Sequence, residues 1–266
     1  MCAETTAVIM PKSGLITALA MRKPRDVPTA LSAPRALDEE HPMPKKPNTR
    51  RTPLSRARVM QAAVALADEA GLEAFSMRGL AQELGVVPMA LYKHVANKDA
   101  LLDGMVDIVF GEIELPSGDL DWGSAMRRRA MSTREALKRH TWAIGMMESR
   151  HPGPANLRNH NAVMGCLREA GFSFELAIHA YSAQDAYIYG FALQERDLGF
   201  ATPESAGEAA QRRAETIDAL DDYPYLVEVV TKLPESGYDN AVEFAWGLDL
   251  ILDGLELLRH TGAAPP

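Results

Sequence analysis

The sequence predicts an all-α protein with a short N-terminal group of helices and a larger helical C-terminal domain. Apolar residues recur three and four positions apart over most of the chain after residue 55. Glycine and proline interrupt this pattern at about the length of one helix. No stretch shows the strict alternation of apolar and polar residues that is typical of a half-buried strand.

The overall composition is that of an ordinary soluble protein. Of its 266 residues, 47% are hydrophobic and 24% are charged, which is enough to build a buried core. The two cysteines, Cys2 and Cys166, are too far apart for a disulfide framework or a metal finger. No apolar run approaches the roughly 20 residues that cross a bilayer. We therefore expect a cytoplasmic protein without a signal peptide or a membrane partner.

Charge is distributed unevenly along the chain. The net charge is −8, but residues 45–100 carry nine Lys and Arg against five Asp and Glu, whereas 101–266 carry fourteen against twenty-six. A phosphate backbone responds to the local field rather than to the total charge. The acidic total therefore does not exclude a nucleic-acid partner for the first helices.

Three segments follow from these patterns. Residues 1–47 contain seven prolines and no sustained apolar period, which predicts a disordered extension. We assign 48–97 to a first helical domain and 98–262 to a second.

The first helix begins after Ser55, a plausible N-cap, and carries one apolar stripe. Gly71 supplies the left-handed residue that commonly ends a helix. The stripe consists of Val59, Ala63, Leu66 and Ala70.

Two short helices and a longer one follow. Ser76 is expected to cap the second helix, and Gly85 to end it. Pro88 suits the first turn of a third helix that runs to about Val95. Asn97 can then cap a fourth helix, over about 98–114.

Helices two and three have the geometry of a helix-turn-helix, in which a short second helix reads DNA. Its expected exposed side offers hydrogen-bond donors for phosphates and apolar groups for thymine methyls. These residues are Pro88, Met89, Tyr92, Lys93 and His94. Because helix–glycine–helix patterns occur in many α-helical proteins, the pattern alone leaves DNA binding one reading among others.

The run LAQELGVVPMALYKHVANKDALL at 80–102 resembles the N-terminal domain of the TetR family of transcription regulators, as does the whole of 56–105. The resemblance implies that Arg78 opens the second helix toward DNA and that Pro88 and Met89 face bases. It assigns phosphate contacts to Tyr92, Lys93, His94 and Lys98, and Arg56 is a further expected DNA-binding residue. Structural roles remain open for three of them, since Tyr92 can pack under the motif, His94 can support the turn, and Lys98 can serve the fourth helix.

Beyond Pro116 we predict helices near 122–140, 142–149, 155–170, 173–198, 204–220, 223–232 and 238–260. The runs at 171–193 and 244–256 resemble the C-terminal domain of the tetracycline-repressor branch of that family. The resemblance implies that these two helices form a four-helix interface in a homodimer. The expected seam is Phe244, Leu248, Ile251, Leu255 and Leu258, although these residues can instead face the core of one subunit.

The same resemblance implies a small-molecule pocket among the other C-terminal helices. At the positions that hold magnesium in tetracycline-binding members, the chain has Met147 and Gln194, and a thioether is a poor ligand for a hard cation. We therefore expect an organic effector of unknown identity, no magnesium-bridged tetracycline, no metal site and no cofactor. The expected ligand-binding residues are Arg129, Thr133, Trp142, Met147, Arg150 and Val163. Arg129 and Arg150 can equally be salt-bridged helix residues.

These observations predict a dimeric repressor that a small organic ligand releases from its double-stranded operator. An activator of the same fold and a helical dimer without DNA binding are the alternatives. An enzyme is not expected, because the sequence has no GxSxG, HExxH or phosphate-loop motif.

Overall fold

The computed structural model describes residues 53–197, 222–232 and 239–261. Within these ranges the chain is helical and has no strand, as predicted, and none of its helices has the length and apolar character to cross a membrane. The helices are α1 (Arg56–Ala74), α2 (Met77–Glu83), α3 (Pro88–Leu91), α4 (Lys98–Gly111), α5 (Trp122–Arg139), α6 (Pro154–Glu169), α7 (Phe174–Asp197), α8 (Pro224–Lys232) and α9 (Asn240–Thr261). The extension 1–47 and the predicted helix 204–220 lie outside the described residues.

The predicted N-caps of α1, α2 and α4 are confirmed. Side-chain oxygens of Ser55, Ser76 and Asn97 accept hydrogen bonds from backbone N–H groups three residues later, at 3.2, 3.0 and 2.7 Å. Gly71 and Gly85 have φ angles of 73° and 66°, a conformation that favours glycine. Gly71 interrupts α1, and Gly85 forms the turn between α2 and α3.

The helix α3 is shorter than the sequence predicted. It ends at Leu91 rather than near Val95, although the N–H groups of His94 and Val95 still bond the Leu91 carbonyl at 2.8 and 3.0 Å. The side chains of Leu80, Ala81 and Leu91 are buried in the core that α1 also lines, and α2 packs against both α1 and α3. Because these apolar groups are buried, the opposite side of α3 is left toward solvent.

The helix α4 connects the two domains. Its buried residues, among them Leu101, Met105 and Phe110, belong to one apolar core that runs from α1 to α9. It packs against α1 on one side and against α6 on the other. The helix α5 lies centrally in the second domain, in contact with α6, α7 and α9.

The prediction of a helix over 142–149 is wrong. A short 3-10 turn, Thr141–Ala143, is followed by successive turns. The helical path breaks at His140, where φ is −117° and ψ is 59°. The side chains of His140 and Trp142 are held by Asp68 of α1 instead, at 2.7 and 2.6 Å.

The predicted dimer seam on α9 also requires correction. Phe244, Leu248 and Leu255 are at most 6% exposed in a single protomer, so this face packs on the protomer's own α5 and α7. The apolar face of α9 that remains exposed is a different one. It consists of Val242, Trp246, Leu250 and Leu257, which are 56–69% exposed.

Candidate DNA interface and effector site

The outer side of α3 presents apolar and hydrogen-bonding groups together. Met89 is 73% exposed and Tyr92 46% exposed, and Pro88 and Lys93 are also exposed. His94 is half-buried at the end of this segment. The arrangement suits contact with base edges through Met89 and with phosphates through Tyr92 and Lys93.

Three further cations that the sequence assigned to DNA are exposed on other helices. Arg56 is exposed at the start of α1, and Arg78 is exposed in the first turn of α2. Lys98 is exposed too, but its ammonium lies 3.5 Å from the carbonyl of Phe75 and 5.8 Å from the centre of that ring. Lys98 therefore connects the start of α4 to the turn between α1 and α2, as well as facing solvent.

A hydrogen-bonded joint connects α1 to the second domain. The indole N–H of Trp142 and the imidazole of His140 share Asp68, and His140 also lies 3.1 Å from Glu112. Arg139 donates to Glu112 at 2.7 Å. Burial alone would raise the pKa of Glu112, but hydrogen bonds from Arg139 and His140 lower it below its usual value. The carboxylates of Asp68 and Glu112 therefore already have hydrogen-bond partners within this joint.

A second joint connects α4 to α6. The carboxylate of Asp107 accepts hydrogen bonds from the N–H groups of Ala155 and Asn156, both at 2.9 Å. It thereby caps the N-terminus of α6, where a negative charge is favoured. A Cβ added at Gly153 would overlap this carboxylate. The Asp107 carboxylate therefore connects α4 directly to the start of α6.

The core of the second domain contains a buried ion pair. Arg129 is 1% exposed, and its guanidinium donates to Asp185 at 2.7 Å and to Asn159 at 3.3 and 3.1 Å. Although burial opposes the charged form, Asp185 keeps the pKa of Arg129 raised. Together with Asn159 of α6, this pair connects α5, which carries Arg129, to α7, which carries Asp185.

Several polar groups around this pair have no hydrogen-bond partner. They include the Nε2 of His160, Oδ2 of Asp185, both amide atoms of Gln184 and the hydroxyls of Tyr181 and Tyr189. Burial lowers the pKa of His160 and raises that of both tyrosines, so it favours the uncharged form of each. Since buried polar groups normally find partners, such a concentration indicates a place for a bound ion or molecule.

The predicted ligand-binding residues fall into two places. Thr133, Met147 and Val163 are buried in the second domain, as is Arg129. Trp142 is buried, but its N–H is turned to Asp68. Arg150 lies apart from the cluster and pairs with Asp99 and Asp103 of α4, at 3.1 and 3.8 Å.

The sequence reasoning missed His160, Tyr181, Gln184 and Asp185. Their signal was present, because polar residues at 181, 184 and 185 interrupt the apolar face of α7 at helical spacing. Burial of a polar group costs free energy unless the group forms a hydrogen bond, so polar residues on a buried face indicate a protein partner or a ligand.

Comparison with known protein families gives two matches. The model of the tetracyclin repressor-like C-terminal domain matches residues 115–259. The model of the bacterial regulatory proteins, tetR family, matches residues 59–105. The second match contains α2, α3 and the turn between them.

Individual proteins agree along most of the chain. The HTH-type transcriptional repressor DrrR1 of Streptomyces coeruleorubidus is 33% identical over 225 residues, 80% of this chain and 82% of that protein. The class A tetracycline repressor from transposon 1721 in Escherichia coli is 33% identical over 211 residues, 78% and 93% of the two chains. The Streptomyces coelicolor protein ActR, solved with actinorhodin, has a TM-score of 0.64 at 30% identity over 77% of this chain and 98% of its own.

Proposed function

The chain belongs to the tetR family of bacterial regulatory proteins, and from this premise we propose that it is a dimeric repressor that leaves its operator when a small organic effector binds. The observation that carries the proposal is the exposed outer side of α3, with Met89, Tyr92 and Lys93 on a buried apolar support. Its two domains in this proposal are the DNA-binding unit, 48–97, and the effector-binding and dimerisation unit, 98–262.

In this proposal α3 enters the major groove. Pro88 and Met89 meet base edges, while Tyr92, Lys93 and His94 hold phosphates and fix the register. The exposed guanidinium groups of Arg56 and Arg78, with Lys98, extend the phosphate contacts. A helix of a single turn has few side chains with which to read bases, so much of the affinity is electrostatic.

A homodimer supplies the second copy of α3. Recognition helices about 34–36 Å apart match successive major grooves on one side of the duplex. The exposed apolar face of α9, centred on Trp246 and Leu250, is our candidate interface. Beside it α7 presents the small exposed residues Ala183 and Ala186, which allow a partner helix to approach closely.

The effector binds in the second domain. Arg129, Thr133, Met147 and Val163 are the contact residues we propose there, and Trp142 and Arg150 lie on the side toward α1 and α4. Similarity to ActR, solved with actinorhodin, and to the tetracycline repressors favours an organic effector. Met147 and Gln194 argue against magnesium-bridged tetracycline.

Release of DNA follows from the two joints. An effector that displaces α6 moves α4 through Asp107, and one that displaces the segment around Trp142 moves α1 through Asp68. The effector must bind the DNA-incompetent arrangement more tightly, or it shifts nothing. Coupling of about 1–3 kcal/mol, a 5- to 150-fold change in operator affinity, is usual for such linkage.

The test uses the DNA upstream of the gene that encodes this chain. Fluorescence anisotropy should show saturable binding to one segment, and deleting the gene should raise expression from that promoter. Expression that falls on deletion would make the chain an activator. Absence of specific binding to any upstream segment would contradict the proposal.

A further inference from the structure

Three side chains from separate parts of the second domain converge beside the buried ion pair. Glu148 lies in the turns after the 3-10 helix, His160 on α6 and Asp185 on α7. One potential ligand atom from each lies within 4.8 Å of the other two. Ligands that share an ion at about 2.1 Å lie roughly 3–4 Å apart, so a small inward movement of these side chains would complete a site.

The imidazole of His160 is oriented as in a metal ligand. Its Nδ1 lies 2.8 Å from the backbone carbonyl of Asn156. A carbonyl only accepts hydrogen bonds, so Nδ1 carries the hydrogen, and the neutral ring then presents a lone pair at Nε2. Nε2 is buried without a partner, in a residue that is 8% exposed. Metal-ligating histidines typically donate their other N–H to a carbonyl or a carboxylate in this way.

The two carboxylate oxygens of Asp185 also differ in their hydrogen-bond partners. Its Oδ1 accepts from Arg129 at 2.7 Å, while its Oδ2 has no hydrogen-bond partner, and the side chain is 7% exposed. Arg129 is itself held by Asn159. This support orients the carboxylate and leaves one oxygen for an additional ligand.

We propose that Glu148, His160 and Asp185 bind one divalent transition-metal ion in each protomer. One imidazole nitrogen and two carboxylate oxygens suit Zn²⁺ or Co²⁺ better than Mg²⁺, which prefers oxygen ligands and retains most of its waters. The hydroxyls of Tyr181 and Tyr189 are available near the same cluster.

This site differs from Met147 and Gln194, the positions at which tetracycline-binding members are expected to hold magnesium. The proposal replaces the expectation of no metal site. The sequence pattern did not show this site, because its three ligands come from distant parts of the chain and have no local spacing. The ring of His160 lies 5.7 Å from that of Phe110 on α4 and 5.2 Å from that of Tyr181 on α7. A bound ion would therefore stabilise the packing of α6 between these two helices.

The experiment uses the tag-free full chain, stripped with EDTA and dialysed. Titration with Co²⁺, followed by its visible absorption, and competition with Zn²⁺ should give one ion per protomer. His160→Gln and Glu148→Gln should each weaken binding by at least about 10- to 100-fold, since even second-shell substitutions have effects of this size. His151→Gln, at a side chain that is 86% exposed, is the matched control and should bind like the wild type.

Circular dichroism verifies that each variant is folded, and the Co²⁺ spectrum reports the ligand set directly. Wild-type protein without stoichiometric binding would overturn the proposal, as would equal affinity in the folded His160→Gln variant. A third outcome combines two measurements: no Co²⁺ uptake by the stripped protein and, separately, binding of a hydroxylated aromatic compound at this cluster in the presence of EDTA. That outcome would overturn the metal proposal and assign the cluster to an organic ligand. Metal uptake is measured without DNA, so its failure is distinct from a failure of operator binding.

Discussion

The indole N–H of Trp142 donates a hydrogen bond to the carboxylate of Asp68 across 2.6 Å. Trp142 belongs to the second domain and Asp68 to α1, so this bond connects the effector-binding part of the protein to the DNA-binding part. The same carboxylate oxygen forms a hydrogen bond with Nδ1 of His140 at 2.7 Å. One acidic side chain therefore holds the start of the irregular segment that replaces the predicted helix over 142–149.

Asp68→Ala should lower the free energy of unfolding by about 1–3 kcal/mol, because it leaves the buried donors of Trp142 and His140 without their acceptor. Urea denaturation measures the change. Glu69→Ala, at the exposed neighbouring position, is the control and should change stability by less than about 0.5 kcal/mol. Equal stability of the two variants would show that this joint contributes nothing.

The double variant Tyr92→Ala/Lys93→Ala should weaken binding to all DNA sequences by similar factors, because phosphate contacts carry little sequence information. Its affinity should also depend less steeply on salt than that of the wild type. Anisotropy titrations at several salt concentrations provide both values. Lys138→Ala, at an exposed lysine near the end of α5, serves as the control. Wild-type affinity in the double variant would remove α3 from the interface.

Met89→Ala should have a different effect, because Met89 is assigned to base edges. We expect loss of affinity for the operator with little change on unrelated DNA, about 1–3 kcal/mol of discrimination if one base contact is lost. Competition with random-sequence duplex measures the ratio. A uniform loss on both kinds of DNA would place Met89 on the backbone instead.

Leu250→Glu should yield folded monomers that no longer bind a palindromic operator, because it places a charge in the exposed apolar face of α9. Leu255→Glu should unfold the protein, since Leu255 is only 6% exposed within the protomer and an unpaired buried charge is costly. Sedimentation and circular dichroism separate these outcomes. Leu157→Glu, on the exposed side of α6, should remain dimeric. A dimeric Leu250→Glu variant would move the interface elsewhere.

Stability should fall at acidic pH in part through Glu256, which joins the start of α5 to α9. A hydrogen bond from Arg259, with a further one from Trp122, lowers the pKa of Glu256 to about 2 from an ordinary 4.5. Because the folded-state pKa is the lower one, the contribution is complete above about pH 4.5 and is lost as the pH falls toward 2. The effect is small, since the group is largely solvated.

The Glu256→Gln variant should therefore lose less stability than the wild type between pH 5 and pH 3. Urea denaturation at several pH values measures both slopes. Glu83→Gln, at an exposed glutamate of α2, should behave like the wild type. Identical slopes for the wild type and Glu256→Gln would exclude this contribution.

Local signals explain why the N-terminal domain could be predicted closely. The caps at Ser55, Ser76 and Asn97 and the left-handed glycines at 71 and 85 depend on neighbours within four residues. Such contacts can be read directly from the order of residues. The exposed side of α3 followed once its buried residue, Leu91, was identified.

Other features depend on partners that are distant in sequence. The segment around Trp142 departs from a helix because its side chains meet Asp68, 74 residues earlier. Periodicity on α9 showed an apolar seam but not whether α5 and α7 or a second protomer would cover it. The cluster of His160 and Asp185 required three elements to be placed in space before it could be recognised.

The close contact at Gly153 makes the regulator sensitive to volume as well as to charge. A single methyl group there would act as a steric wedge, because it would occupy the space of the Asp107 carboxylate that caps α6. The Asp107 carboxylate would have to leave this position, either by rotation of its side chain or by a shift of α4. Substitutions at this one glycine would thus remove the Asp107 cap of α6 or move α4, while the exposed side chains of α3 stay chemically unchanged.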